Sequence, residues 1–301
     1  MRVFVTGVNG QLGHDVLAEL RRRGMEAIGS GSGEAYTAAD SGRECPYVRL
    51  DITDSSAVEK TLTSLQPDAV IHCSAWTAVD AAEEEENRPR VYALNVTGTE
   101  NLAGVSESIG AKFVYLSTDY VFGGAGSEPF SADCREFAPL NYYGETKLQG
   151  EEAVRRICRR SFIVRTSWVF GINGINFVKT MLRAGKNRSS VRVVNDQIGA
   201  PTYTRDLAVL LCDMLGSEHY GTYHATNEGG FISWYDFCRE FYRQYGLSTE
   251  VIPVTTEEYG LSRAARPKNS RLNTEKLKAN GFHPLPDWRD AVARFLKEAE
   301  I

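Results

Sequence analysis

Three side chains could share one proton-transfer task. Tyr143 and Lys147 lie four residues apart in a stretch, Pro139 to Leu148, that opens a helical pattern running to about Arg156, so both fall on one helix face. A phenol with a pKa of about 10 is a poor acid-base catalyst near neutrality. A neighbouring ammonium stabilises the phenolate and is expected to lower that pKa, at about 1.4 kcal/mol per unit. Such a tyrosine can exchange a proton with a carbonyl or hydroxyl oxygen, and the hydroxyl of Thr118 could hold the same oxygen in line. The Tyr-x-x-x-Lys spacing alone also suits an ordinary solvated helix face, so its meaning depends on the elements around it.

The first of these is the N-terminal stretch. A short apolar strand, Val3 to Val5, runs through Gly7, Gly10 and Gly13 into a helical pattern with Leu12, Val16, Leu17 and Leu20 on one face. Such a junction presents free backbone N–H groups and the positive end of a helix dipole, and so can hold a diphosphate. The spacing is G-x-x-G-x-x-G, not the commoner G-x-G-x-x-G, and a plain strand-to-helix turn would look similar without further context.

The following chain supplies that context. Ala27 to Ile28 form a second strand, Tyr47 to Leu50 a third and Ala69 to Cys73 a fourth, with a helix between them capped by Thr53 or Asp54 and carrying Val58, Leu62 and Leu65 inward. This β-α-β-α-β alternation specifies a Rossmann-type, doubly wound parallel α/β sheet, whose ligands bind at the strands' carboxyl ends. Ser74 to Thr77 follow the fourth strand, a helix from about Asn87 to Ile109 comes next, and the strand Lys112 to Leu116 delivers Thr118 and Asp119 to the same edge.

At the end of the second strand, beside the expected adenosine ribose, stand Ser30 and its glycine neighbours rather than an acid. A 2′-phosphate is not repelled there, which favours NADPH with NADH as the alternative, although no arginine to grip that phosphate is evident. The segment Gly31 to Cys45 reads as a surface loop. Asp51, at the third strand's end, suits either the adenine amino group or a turn.

Beyond about residue 165 the alternation relaxes and aromatic residues increase. Expected elements are the strand Phe162 to Val164, a helix Asn173 to Arg183, a strand Val191 to Val194, a helix Thr204 to Leu215, a strand Tyr220 to Ala225 and a helix Trp234 to Tyr245 capped by Ser233. The expected organisation is a nucleotide-binding part over 1–165, with segments around 191–225 interleaved, and a smaller, discontinuous C-terminal substrate-binding part over 166–301. Trp168 suits core packing as well as a pocket wall. Arg165 and Arg205 suit salt bridges better than a substrate pyrophosphate.

The 301 residues carry a net charge of −5, with 42% hydrophobic and 24% charged residues, which fits a soluble globular protein and excludes a basic nucleic-acid surface. The runs Arg21 to Arg23 and Arg155 to Arg160 read as helix C-termini, and Glu83 to Glu86 as the exposed first turn of a helix. Six cysteines without C-x-x-C spacing suggest neither a zinc site nor a disulfide framework. With no leader and no apolar run long enough for a bilayer, a cytoplasmic protein without membrane association is expected.

Thr6-Gly7-x-x-Gly10-x-x-Gly13, Thr118 and Tyr143-x-x-x-Lys147 together resemble the extended short-chain dehydrogenase/reductase superfamily. Ala75 to Asp80, Leu116 to Gly123, Arg165 to Gly171 and Asp196 to Tyr203 narrow the resemblance to the dTDP-4-dehydrorhamnose reductase family. The resemblance implies hydride transfer from NADPH or NADH to the C4 ketone of a dTDP-4-dehydro-β-L-rhamnose substrate, in dTDP-L-rhamnose biosynthesis. It implies that Tyr143 protonates the forming alkoxide, that Lys147 lowers the tyrosine pKa and binds the nicotinamide ribose, and that Thr118 bonds the ketone. It further implies that Thr118, Asp119 and Trp168 contact the sugar. Gly10, Gln11 and Leu12 would meet the diphosphate, Asp51 and Ile52 the adenine, and Ala75, Trp76 and Thr77 the middle of the cofactor. Pro267 to Leu272 would close on the sugar nucleotide. Some relatives bind Mg²⁺ between the subunits of a homodimer; no ligands for it are identifiable, since carboxylates such as Glu19 read as solvated. The same frame serves other nucleotide-sugar 4-reductases and epimerases, and a non-catalytic NADP-binding subunit related to the regulatory subunit of methionine adenosyltransferase.

Overall fold

The computed structural model describes residues 1–37 and 46–299; the end of the Gly31 to Cys45 loop, with Cys45 itself, lies outside them. In chain order the elements are β1 (Arg2–Thr6), α1 (Gln11–Arg22), β2 (Glu26–Gly31), β3 (Tyr47–Arg49), α2 (Ser55–Leu65), β4 (Ala69–His72), α3 (Val79–Ala82), α4 (Arg88–Tyr92), a π-helical turn (Ala93–Thr97), α5 (Gly98–Ser108) and β5 (Lys112–Thr118). They continue as α6 (Tyr142–Ile157), β6 (Ser161–Thr166), β7 (Val169–Phe170), α7 (Phe177–Asn187), β8 (Ser190–Val194), β9 (Ile198–Gly199), β10 (Thr202–Tyr203), α8 (Thr204–Leu215), β11 (Gly221–His224) and β12 (Asn227–Glu228). The last are β13 (Ile232–Ser233), α9 (Trp234–Tyr245), β14 (Glu250–Val254), α10 (Thr256–Tyr259), α11 (Glu275–Ala279), β15 (Leu285–Asp287) and α12 (Trp288–Glu298).

Seven parallel strands form the central sheet in the order β11-β6-β5-β4-β1-β2-β3. Strands β4, β5 and β6 are buried along their whole length because helices cover both faces, which is why their centres read as apolar runs rather than as an alternating pattern. One face packs Val3, Val5, Ile71, Val114 and Val164 under α1 and α8, and the other packs Phe4, Val70, Phe113 and Tyr115 under α2, α5 and α6. A further apolar cluster, with Phe170, Phe237, Phe241, Trp288 and Phe295, joins α7, α9 and α12.

Four local expectations change. The strand at 190–194 pairs with β14 in a separate two-stranded sheet, whereas β11 joins the central sheet beside β6 and α8 packs on its face. Helix α7 begins at Phe177 rather than Asn173, because the Asn176 side chain caps it by accepting from Lys179 N at 3.0 Å. Glu83 to Glu86 form the turn between α3 and α4 rather than the first turn of a helix, and Glu83 reaches out to accept from Tyr142 N at 2.7 Å. The 87–109 helix is broken by the π-helical turn at 93–97. Asp54 and Ser233 cap their helices as expected, Ser233 within a capping box with Asp236.

Candidate active site

The strand ends place two groups of residues side by side, a glycine turn and a polar cluster. Gly7 adopts φ +71°, a conformation only glycine enters freely, and a Cβ there would lie 2.8 Å from Ser74 N. A Cβ on Gly13 would lie 2.3 Å from the Gly7 carbonyl oxygen, so α1 can rest on the turn only with glycine at that position. Helix α1 starts at Gly10 with no side-chain cap and no acid in its first turn, which leaves its N-terminal dipole for an anion. Gln11 and Leu12 lie in this first turn. Ser30 is fully buried at the end of β2 with its hydroxyl unpartnered, an orphan that suits a ribose hydroxyl. Asp51 bonds the Thr53 amide at 2.9 Å and the Thr53 hydroxyl at 2.8 Å, the turn role open to it from sequence, and Ile52 is buried against the sheet.

Ala75 to Thr77 are positioned by a residue that sequence reasoning missed. Asn95, in the π-helical turn, accepts from Trp76 N at 2.8 Å and donates to the Thr146 hydroxyl at 3.0 Å. Thr146 in turn donates to the Tyr143 carbonyl at 2.9 Å, so the loop after β4 and the start of α6 are held in one network. A π insertion is the available signal for such a role, since it turns a side chain out of the helical register. Below this network His72 bridges Thr6 at 2.9 Å and Thr99 at 3.1 Å, and burial lowers its pKa to about 3, with the Lys147 charge adding to the effect.

The polar cluster lies where β5 meets α6. Thr118 donates to Asp119 Oδ1 at 3.0 Å and accepts from Tyr120 N at 3.2 Å. Tyr143, from the first turn of α6, stands edge-on to Tyr120 with centroids 6.0 Å apart, near enough to Thr118 for that hydroxyl to act on its phenol. Asn141 caps the helix by accepting from Gly144 N at 2.8 Å. One turn on, Lys147 is buried with its ammonium 4.1 Å from the centroid of the Tyr115 ring.

The electrostatics differ from the expected lowering of the tyrosine pKa. Burial raises the Tyr143 phenol above its ordinary value, the Asp119 charge adds to this, and the Thr118 hydrogen bond opposes it. Burial also lowers the Lys147 ammonium to about 7, against the attraction of Glu151. The cause is desolvation: an ammonium stripped of water is itself costly and cannot act as a full neighbouring charge. Tyr143 is therefore held as a protonated donor at neutral pH. Asp119 is pushed up to about 6 by burial, which the nearby Ser270 and Thr118 hydroxyls oppose, and its Oδ2 makes no hydrogen bond of good geometry.

Trp168 follows β6 with φ +49° and stacks on Trp234 with centroids 3.8 Å apart, a strained backbone fixed by aromatic packing. The 263–271 segment is latched over this end of the sheet. Arg266 pairs with Asp80 at 2.7 Å, Ala264 N donates to Asp80 at 3.0 Å, and Asn141 donates to the Ala265 carbonyl at 2.8 Å. Arg165 and Arg205 are both engaged in salt bridges, with Glu151 and Glu298. Glu19 is not a solvated carboxylate: it is buried at 8% exposure and bonds Arg22 and Arg23, each at 2.7 Å. Among the described residues no cluster of His, Cys, Asp and Glu could hold a metal ion, and no helix is long and apolar enough to cross a membrane.

The family described as RmlD substrate binding domain matches residues 1–301. The spore coat polysaccharide biosynthesis protein SpsK of Bacillus subtilis (strain 168) is 38% identical over 297 residues, covering 99% of this chain and 97% of that protein. A dTDP-4-dehydrorhamnose reductase of Shigella flexneri is 40% identical over 259 residues, covering 82% of this chain and 85% of the relative. The crystal structure of dTDP-4-dehydrorhamnose reductase from Bacillus anthracis str. Ames in complex with NADP has a TM-score of 0.89 to this chain, at 40% identity over 99% of each chain.

Proposed function

The chain belongs to the RmlD substrate binding domain family, and from that premise and the site we infer a nicotinamide-dependent oxidoreductase that reduces the C4 ketone of dTDP-4-dehydro-β-L-rhamnose to dTDP-β-L-rhamnose. The observation that carries the reading is the convergence of Thr118, Asp119, Tyr143 and Lys147 at the sheet edge that also bears an uncapped, glycine-turned helix N-terminus. When bound, the nicotinamide cofactor supplies the hydride. Gly10, Gln11 and Leu12 hold its diphosphate through the first turn of α1, Ser30 its ribose, Asp51 and Ile52 its adenine, and Ala75 to Thr77 its middle. Lys147 bonds the nicotinamide ribose.

Thr118 holds the ketone oxygen in line with Tyr143. As the carbonyl carbon receives the hydride, the Tyr143 O–H bond breaks and its proton passes to the oxygen, giving the alcohol. Burial favours this direction, since it keeps the phenol protonated until a developing alkoxide arrives. Asp119, one oxygen of which makes no hydrogen bond of good geometry, accepts from a sugar hydroxyl, and Trp168 walls the pocket. NADPH is the preferred cofactor and NADH the alternative. Residues 1–165 with α8 and β11 carry the cofactor, 166–301 mainly the sugar, and the five described cysteines, all free thiols, suit a reducing cytoplasm.

The Tyr143→Phe variant tests the assignment. Turnover is expected to fall by about 10²–10⁴, the range for a lost general acid, with the NADPH dissociation constant within about twofold of the wild type. Unchanged turnover would remove Tyr143 from the mechanism.

A further inference from the structure

A guanidinium stands beside the expected ribose position, where the sequence shows none. Arg49, the last residue of β3, is paired in register with Gly31, the last residue of β2. Its side chain forms an ion pair with Glu34, in the segment that follows Gly31. That segment is braced against the glycine turn. Asn9, inside the turn, donates to the Ala35 carbonyl at 3.0 Å and accepts from Thr37 N at 2.9 Å. Tyr47 donates to the Gly33 carbonyl at 2.8 Å, and Val8 N donates to the Ser30 carbonyl at 3.2 Å. Glu34 and Arg49 are thus tied to the residues that hold the diphosphate, and they border the strand end where Ser30 keeps an orphan hydroxyl.

The end of the strand carries Ser30 and Gly31 and no acid that could read a ribose diol. A Cβ on Gly31 would lie 3.0 Å from the Tyr47 hydroxyl, a tight approach, and the carboxylate that pairs with Arg49 is Glu34. The Glu34 and Arg49 side chains are 82% and 61% exposed, and so open a pair contributes little to folding. Either partner can therefore be surrendered to a ligand. A phosphate dianion offers a guanidinium fork more charge than a carboxylate does, whereas a 2′-hydroxyl offers it no charge at all.

We propose that Arg49 is the receptor for the 2′-phosphate of NADPH and that Glu34 is its built-in competitor, so that NADPH binding exchanges one anion for another at the same guanidinium. This rests on the nicotinamide-dependent reading above and assigns that site its cofactor preference. With NADH, Arg49 stays paired to Glu34 and adds nothing, which leaves NADH usable but weaker.

The test is calorimetric titration of the full chain with 2′-phospho-ADP-ribose and with ADP-ribose, which needs no turnover. Arg49→Gln should weaken the phosphorylated ligand by about tenfold or more while moving the other by less than about twofold. Glu34→Gln should do the opposite, tightening the phosphorylated ligand by a few-fold. An unchanged ratio of the two affinities in Arg49→Gln, or an equal loss for both, overturns the assignment while the reductase reading stands. If the wild-type chain binds neither ligand, both fall. Circular dichroism and melting of the variants separate a folding defect from a binding effect, and both variants should melt with the wild type because the pair is exposed.

Discussion

Helix α6 carries two buried charges one turn apart, Lys147 and Glu151, and they are treated in opposite ways. Glu151 is saturated: Arg165 donates to both its oxygens at 2.8 and 2.7 Å, both partners being fully buried, and the half-buried Arg155 adds a further bond. Burial is the largest single influence and works against its ionisation, but the hydrogen bonds and charge of Arg165 together with the Arg155 charge outweigh it and hold the carboxyl below the ordinary range. Lys147 has no carboxylate in ion-pair reach among the described residues; its ammonium lies over the Tyr115 ring, and across the site one Asp119 oxygen makes no hydrogen bond of good geometry. The same helix therefore builds a structural charge cluster, closed on itself, and a functional one, left open for a ligand. Completeness of pairing, rather than burial, distinguishes them.

The largest effect in stability is expected at the closed end. Glu151→Gln leaves the Arg165 guanidinium buried with its countercharge gone, which should cost roughly 3–5 kcal/mol by urea unfolding at pH 7. Replacing Glu151 and Arg165 together by leucine should recover most of that loss. A cost below about 1 kcal/mol for the single change would show that the buried Arg165 charge does not depend on Glu151.

At the open end the sign reverses. Unfolded Lys147 binds its proton up to the ordinary value of 10.5, whereas folded Lys147 releases it near 7. Between those values the unfolded chain holds more protons, so this lysine's contribution to stability rises with pH through the window, and the penalty is fully present below pH 7. Lys147→Met should therefore be more stable than the wild type at pH 7, by about 1–4 kcal/mol, and the advantage should shrink towards pH 10. Its turnover should fall sharply. A destabilised Lys147→Met at pH 7 would break the comparison.

Asp119 gives the smallest and most pH-specific effect. Its folded pKa of about 6 exceeds the ordinary 3.8, so the folded chain holds the extra proton in that window and stability falls as pH rises through it. Asp119→Asn should match the wild type near pH 4 and exceed it above pH 6, by about 1–3 kcal/mol, while losing affinity for the sugar nucleotide. A constant difference from pH 4 to pH 7 would remove the titration from the account.

The open cluster was legible in the sequence where its members are local. Tyr143 and Lys147 share a face by helical period alone, and Gly7 and Gly13 mark their turn because only glycine fits the positive φ and the 2.3 Å approach. Thr118 and Asp119 follow from the end of an apolar strand. Asn95 was not legible, because its bonds to Trp76 and Thr146 span 19 and 51 positions and depend on a π insertion with no compositional mark. Glu83 at the start of α6 and Arg49 beside Gly31 were hidden for the same reason, since each acts on a residue distant in the chain or across a strand pair. The direction of the Tyr143 shift was misread because spacing shows which groups are neighbours but not how much water they lose.

The most direct measurement follows NADPH and NADH oxidation at the nicotinamide absorbance, with enzymatically generated dTDP-4-dehydro-L-rhamnose as substrate and the product identified by mass and chromatography. The account predicts consumption of NADPH, faster than that of NADH, in step with formation of dTDP-L-rhamnose. A chain that binds NADPH yet consumes neither cofactor would contradict it, and the open cluster on α6 would then have to be explained by a binding role without turnover.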